Sequence, residues 1–145
     1  MSLVRSKAET RRLVQARARG CCEYCYSQAA FSPSSFAIEH IYPQSLGGDL
    51  SLDNLAFACS GCNSAKYNKT KGSDPLTGRV VPFYHPRRDK WGEHFSWDEA
   101  GIHIIGTSST GRLTIETLRL NRQNVLNLRE ILVGVGKHPP VPVDD

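Results

Sequence analysis

The chain has 145 residues, a length that fits one domain with modest extensions. Its composition is ordinary for a globular protein, with 39% hydrophobic and 22% charged residues. No apolar run approaches the roughly 20 residues that cross a bilayer, and the N-terminus lacks the apolar segment of a secretory signal. We therefore expect a cytoplasmic protein without membrane association.

The net charge of +4 is concentrated on the two sides of the central segment. Residues 1–20 contain six Lys or Arg and one acidic residue, and residues 63–94 contain seven Lys or Arg and three acidic residues. A phosphate backbone binds such surfaces through ion pairing and counterion release. Two solvated faces explain the same pattern, so charge alone leaves both interpretations open.

The first half of the chain predicts a helix followed by a ββα unit. Residues 4–19 favour a helix that stops at Gly20, with a thin apolar side formed by Val4, Ala8, Val14 and Ala18. "FAIEHI" (36–41) predicts a short strand, and Pro43 with Gly47-Gly48 predicts a turn. A second short strand is expected within 51–58, and a brief helix from Asn63 to before Gly72.

The second half predicts a long loop, a hairpin and helical segments. Residues 72–91 are rich in Pro and Gly, residues 94–97 and 102–105 predict a hairpin, and residues 107–133 are mainly helical. Helical spacing places Leu118, Val125, Leu128 and Leu132 in the core, where we also expect Trp91 and Trp97. We divide the chain into a basic helix (1–20), a core (21–72), an extension packed on it (73–136) and a flexible tail (137–145).

Two Cys-x-x-Cys pairs, Cys22/Cys25 and Cys59/Cys62, have matching spacing. In a cytosolic chain such pairs indicate metal ligands before disulfides. Four thiolates make the closed tetrahedral site that is typical of structural Zn²⁺. Cys21 is left over, and it replaces Cys22 only if the spacing lengthens by one residue. Buried free thiols or a redox pair are the alternatives.

Glu39, His40 and Asn63 combine the groups that phosphodiester hydrolysis requires. A neutral imidazole such as that of His40 can activate water near neutral pH. The Glu39 carboxylate and the Asn63 amide oxygen suit a hard ion such as Mg²⁺ or Mn²⁺. Because neighbouring strand residues point to opposite faces, Glu39 and His40 can serve one phosphate only if the strand twists or ends there.

The motifs "CEYC", "IEHIYPQSLGG", "DNL" and "CSGCNSAK" resemble those of the HNH endonucleases, also called His-Me finger or ββα-metal nucleases. The resemblance to the family core covers about residues 21–70. The segments "DPLTGRVVPFYHPRRDKWGEHFSWDEAGIHIIG" and "GRLTIETLRLNR" resemble the tail of a four-cysteine, zinc-containing bacterial subgroup. The resemblance implies an α+β fold with a zinc-stabilised ββα core, extended by an N-terminal helix and a C-terminal hairpin and helix.

The resemblance also implies a role for each matching residue. His40 matches the general base, Glu39 the acidic metal ligand before it, Asn54 the residue that fixes the loop and helps to orient the base, and Asn63 the third motif position. The four cysteines Cys22, Cys25, Cys59 and Cys62 match the structural zinc ligands. Glu39 is one methylene longer than the more frequent Asp, and Asn63 replaces a possible imidazole, so a single, weakly held catalytic ion is expected.

The sequence thus predicts a DNA endonuclease that nicks one strand per site, as a monomer or homodimer, with RNA as a further possible substrate. The alternative is a catalytically inactive zinc-containing module that binds nucleic acid. Candidate nucleic-acid contacts are Lys66, Lys69, Arg87 and Arg88. Each of these residues also has a purely structural interpretation: the lysines can form an ordinary helix face, and the arginines can support the tail. Asn63 can likewise simply cap its helix.

Overall fold

The N-terminal helix follows directly from local sequence signals. The structure is a computed structural model that describes residues 5–140. Helix α1 spans Lys7–Arg17 and begins at Ser6, whose side chain accepts a hydrogen bond from the Glu9 backbone N–H at 3.0 Å. Of its predicted apolar side, Val14 and Ala18 are buried and Ala8 is exposed, while Val4 lies outside the described residues.

A two-stranded hairpin and a short helix follow α1. Strand β1 (Ala37–His40) pairs antiparallel with β2 (Leu55–Ala58), and His40 lies opposite Leu55. Helix α2 (Ser60–Lys66) continues from β2 and contacts β1. The predicted ββα unit and the α+β fold class are therefore confirmed.

Helix α2 begins three residues earlier than predicted. Cys59 is its N-cap residue, because the Cys59 Sγ accepts a hydrogen bond from the Cys62 N–H at 3.5 Å. The second cysteine pair thus forms the first helical turn, and Asn63 lies inside the helix. The suggestion that Asn63 caps this helix is wrong.

The second half of the chain contains more regular structure than predicted. The expected hairpin is present, with strand ends that differ from the prediction by up to two residues, and the helical region forms two helices. The elements after α2 are β3 (Lys71–Ser73), β4 (Val80–Pro82), α3 (Trp91–His94), β5 (Phe95–Trp97), β6 (Ile104–Gly106), α4 (Ser109–Leu118) and α5 (Gln123–Gly134).

The β3–β4 hairpin lies almost entirely in the segment that was predicted to be a loop, and α3 begins at the last residue of that segment. The two strands have three residues each and include Gly72 and Pro82, so their local strand propensity is weak. Gly72 packs closely on α4, since a Cβ atom there would lie 2.9 Å from Leu113 Cδ1. Tertiary packing therefore stabilises a hairpin that local sequence does not predict.

One buried cluster joins the two halves. It runs from Val14 in α1 to Leu120 after α4 and includes the cysteines and Trp91, with Trp97 packed against it. Of the apolar positions predicted for the C-terminal helices, Leu118, Val125 and Leu132 are buried, and Leu128 is half-buried. Arg129 is buried beside them. None of the described helices is both long and apolar enough to span a membrane.

Candidate active site and metal centre

The four predicted cysteines meet at one point. The Sγ atoms of Cys22, Cys25, Cys59 and Cys62 all lie within 4.8 Å of one another, and those of Cys25 and Cys59 are 3.6 Å apart. Tetrahedral zinc with Zn–S bonds of about 2.3 Å separates its sulfur ligands by about 3.8 Å. All four residues are buried. The cluster therefore fits a closed structural Zn²⁺ site.

Cys21 lies outside this group. Its thiol donates to the backbone carbonyl of Arg19 at an S–O distance of 3.6 Å. The preference for Cys22 over Cys21 as the fourth member of the group is confirmed.

Glu39, His40 and Asn63 line one open cleft between β1 and α2. This β1–α2 cleft has a volume of about 380 Å³ and is lined by Ile38, Glu39, His40, Pro43, Gln44, Ser45, Asn63, Tyr67 and Asn68. Strand β1 ends at His40. The strand end explains how two neighbouring residues reach the same cleft, as the sequence argument required.

The His40 imidazole lines the β1–α2 cleft. Its Nε2 atom is buried and has no hydrogen-bond partner among the described residues. The ring is therefore not committed to a partner within the described part of the chain.

Glu39 belongs to a buried polar network. Its Oε1 accepts a hydrogen bond from the Tyr24 hydroxyl at 2.6 Å, and its Oε2 lies 2.6 Å from Lys66 Nζ. Lys66 Nζ also donates to the Ile41 carbonyl at 2.8 Å. Burial, together with the nearby Glu39 carboxylate, raises the pKa of Tyr24 well above its usual value. Tyr24 is therefore a neutral hydroxyl donor that orients the carboxylate.

Glu39 and Asn63 have suitable donors for a divalent ion. A carboxylate offers about four lone-pair sites, and Tyr24 and Lys66 engage two of them. The Asn63 side chain makes no hydrogen bond to a described residue, so its amide oxygen is available to the β1–α2 cleft. The oxygen donors fit Mg²⁺ or Mn²⁺, while the adjacent Lys66 ammonium opposes a second cation.

Asn54 ties together the loop that connects β1 and β2. Its Oδ1 accepts from the Tyr42 N–H at 2.8 Å, and its Nδ2 donates to the carbonyls of Tyr42 at 3.0 Å and Asp49 at 2.9 Å. These three bonds use both donors and one of the two acceptor sites of the side-chain amide, and none of them reaches His40. Asn54 therefore acts on the position of His40 through the loop backbone.

Two of the four predicted nucleic-acid contacts lie in internal ion pairs. Lys66 is 2% exposed and pairs with Glu39, and the Arg87 guanidinium pairs with the Glu23 carboxylate. Burial, followed by the charge of Arg17, lowers the pKa of Arg87 to about 10. We correct both assignments, because a long cation whose charge is engaged inside the protein is not available to a phosphate.

Lys69 and Arg88 are exposed and remain candidate phosphate contacts. Lys69 Nζ donates only to the Ala65 carbonyl at 3.3 Å. Arg88 borders a second open cleft of about 520 Å³, which Lys66 and Tyr42 also line. These two candidate contacts lie after α2 and after β4, respectively.

Sequence reasoning missed Tyr24 and misassigned Lys66. Tyr24 lies between Cys22 and Cys25, where nothing in the sequence distinguishes its hydroxyl from that of any core tyrosine. Its partner Glu39 is 15 residues away. The spacing "NSAK" does place Asn63 and Lys66 on one side of a helix, but it does not show which of them faces Glu39.

A model of a known protein family matches this part of the chain. The family model described as HNH endonuclease matches residues 22–69. The matched range contains the four-cysteine cluster and the candidate site residues Glu39, His40 and Asn63 of the β1–α2 cleft. The searches of curated proteins and of solved structures returned no match.

Proposed function

Because residues 22–69 belong to the HNH endonuclease family, we propose that this protein is a metal-dependent endonuclease that hydrolyses phosphodiester bonds in DNA. The observation that carries the proposal is that Glu39, His40 and Asn63 line one open cleft. This cleft opens next to the helix whose first turn contains Cys59 and Cys62. Base, carboxylate and amide oxygen thus lie around one cleft, with the Glu39 carboxylate set into its wall.

His40 is the proposed general base. Its imidazole takes a proton from a water molecule as the water oxygen attacks phosphorus opposite the 3′ oxygen. The new P–O bond forms as the bond to the 3′ oxygen breaks, which leaves a 5′ phosphate and a 3′ hydroxyl. The leaving 3′ oxygen gains its proton from solvent.

Glu39 and Asn63 are the proposed ligands of the catalytic ion. When bound, Mg²⁺ or Mn²⁺ supplies positive charge that stabilises the phosphate oxygens and the departing 3′ oxygen. Tyr24 and Lys66 hold the Glu39 carboxylate in one orientation before the ion arrives. Because the Lys66 ammonium remains beside the carboxylate, we expect weak ion affinity.

The proposed substrate contacts are with the phosphate backbone. Exposed Lys69 and Arg88 are available for ion pairs, and such contacts carry no base sequence information. One cleft per chain cuts one strand, so a monomer nicks and a double-strand break needs two chains or two encounters. A zinc ion held by the four cysteines would stabilise this scaffold and take no part in the cleavage step.

A supercoiled-plasmid assay tests the proposal. With Mg²⁺ or Mn²⁺ the wild-type protein should convert the supercoiled form to the open circle, and EDTA should stop the reaction. His40→Ala should lower the rate by at least about a hundredfold, because general-base catalysis contributes roughly 10²–10⁴-fold. The zinc content of His40→Ala should equal that of wild type.

His103→Ala is the matched control. His103 is exposed, its side chain hydrogen-bonds Asp98, and neither residue lines the β1–α2 cleft, so this variant should cut at the wild-type rate. If wild type binds the plasmid and contains zinc but leaves the DNA intact, the alternative of an inactive binding module replaces the proposal. Cleavage of a single-stranded RNA but not of the plasmid would replace DNA with RNA as the substrate.

A further inference from the structure

The four-cysteine cluster would carry excess negative charge with zinc bound. Four thiolates around one doubly charged Zn²⁺ leave two negative charges in excess. Three of the four cysteines are completely buried, and Cys59 is 6% exposed. Excess charge in a protein interior is unfavourable unless nearby groups compensate it. Compensating cations should therefore lie beside the cluster.

Arg122 lies directly against the second cysteine pair. Its Nη2 donates to Cys59 Sγ at 3.2 Å, and its Nη1 lies 3.7 Å from Cys62 Sγ. The guanidinium thus spans both sulfur atoms with its two terminal nitrogens. Arg122 precedes α5 and is 60 residues or more from either cysteine in sequence.

Gly61 leaves the space that this guanidinium occupies. A Cβ atom at Gly61 would lie 2.6 Å from Arg122 Nη2 and 2.8 Å from its Cζ. Any larger residue at this position would displace the guanidinium. The glycine inside "CSGC" therefore has a structural reason that the sequence alone does not reveal.

Arg129 is the second cation. It is 3% exposed, and its guanidinium donates to the Cys25 carbonyl at 3.1 Å and to three further acceptors, Leu120 O, Ile102 O and Asn121 Oδ1. Its Cζ also lies 5.1 Å from the centre of the Trp97 ring. Within residues 5–140, neither Arg122 nor Arg129 pairs with a carboxylate.

We propose that Arg122 and Arg129 are the outer-sphere cations of the four-cysteine metal site. Their two positive charges balance the two excess negative charges of a zinc tetrathiolate. Arg122 also contacts both sulfur atoms of the second pair, which shields them from alkylating and oxidising reagents. These contacts add a polar link between the extension and the core to the apolar packing of the shared buried cluster.

Zinc release and thiol alkylation test the proposal without any cleavage assay. Zinc-loaded wild type, Arg122→Met and Arg122→Lys would be mixed with excess 4-(2-pyridylazo)resorcinol, which colours as it binds released zinc. Arg122→Met should release zinc about tenfold faster, the lower end of the usual effect of outer-sphere residues on metal affinity. Arg122→Lys retains the positive charge but loses the paired guanidinium nitrogens that contact both sulfur atoms. Its rate of zinc release should therefore lie between those of wild type and Arg122→Met.

Arg119→Met is the matched control, because the Arg119 side chain is exposed and only its backbone carbonyl, which the substitution retains, accepts from Arg122 Nη1 at 3.2 Å. It should release zinc at the wild-type rate. Iodoacetamide labelling followed by mass spectrometry should show faster alkylation of Cys59 and Cys62 in Arg122→Met only. Release from Arg122→Met at the wild-type rate, or equal acceleration by Arg119→Met, overturns the proposal.

Gly61→Ala keeps the test decisive if Arg122→Met does not fold. This variant displaces the guanidinium without removing the charge, and alanine is favourable within α2. Faster zinc release from Gly61→Ala, at unchanged circular dichroism, supports the contact between Arg122 and the thiolates. Release at the wild-type rate from both Gly61→Ala and Arg122→Lys overturns it.

Discussion

At the scale of single residues, the candidate site depends on polar side chains inside the protein. Glu39 is 4% exposed, and it is held between Tyr24 and Lys66. Each member of this network has a hydrogen-bonding or ionic partner, which limits the cost of burying it. The arrangement orients a carboxylate at the wall of the β1–α2 cleft, where a flexible surface glutamate would sample many rotamers.

We predict that Lys66→Met destabilises the protein by about 3 kcal/mol, because it leaves a buried carboxylate without its cation. Urea denaturation of zinc-loaded protein measures the change. Lys69→Met is the control, since Lys69 is exposed three residues later and should shift the free energy of unfolding by no more than about 0.5 kcal/mol. Equal stability of the two variants would show that Lys66 is a surface cation after all.

At the scale of elements, the loop between β1 and β2 determines where His40 points. Asn54 bonds the backbone of this loop at three places. At Gly48 the loop folds back on its first residues, because the Gly48 N–H donates to the Pro43 carbonyl at 2.9 Å. A Cβ atom at Gly48 would overlap the Tyr42 carbonyl oxygen. The end of β1 is thus held by contacts within the loop that follows it.

We predict that Gly48→Ala destabilises the protein by about 1–3 kcal/mol, the usual cost of forcing atoms into a packed region. Backbone hydrogen exchange at Tyr42, whose N–H is bonded to Asn54, should accelerate with it. Gly92→Ala is the control, because a Cβ atom there meets nothing within 4 Å and lies in α3. A Gly48→Ala protein as stable as Gly92→Ala would contradict the close approach.

At the scale of the whole molecule, the cysteine cluster lies within the shared core. The buried cluster that contains the four cysteines also contains Val14 of α1 and Leu118 of α4. Arg122 and Arg129 connect the cluster to the C-terminal helices. Local changes at the cluster should therefore be transmitted to the packing of both halves.

We predict that removal of zinc unfolds the described domain cooperatively. Structural zinc sites contribute roughly 10–16 kcal/mol, which equals or exceeds the usual stability of about 5–15 kcal/mol. Titration with a zinc-selective chelator in excess Mg²⁺ should abolish near-ultraviolet circular dichroism and shift the fluorescence of buried Trp91, and added zinc should restore both. A chelated protein that retains its native spectrum would contradict this role for the cluster.

The sequence by itself was sufficient for features that depend on local spacing. The paired cysteines, the ββα order and the apolar positions Leu118 and Val125 follow from contacts between residues that are near in the chain or repeat at a fixed period. The family resemblance of residues 22–69 has the same local origin. Short motifs retain this information because their chemistry requires particular residues at particular intervals.

Only the tertiary structure decided which charged residues are inside. Lys66, Arg87, Arg122 and Arg129 look like surface cations in sequence, because an unpaired charge is rarely buried. Their partners lie far away in the chain: Arg129 reaches Cys25 across 104 residues, and Arg87 reaches Glu23 across 64. A buried charge is stable only beside its compensating group, and folding alone brings the two together.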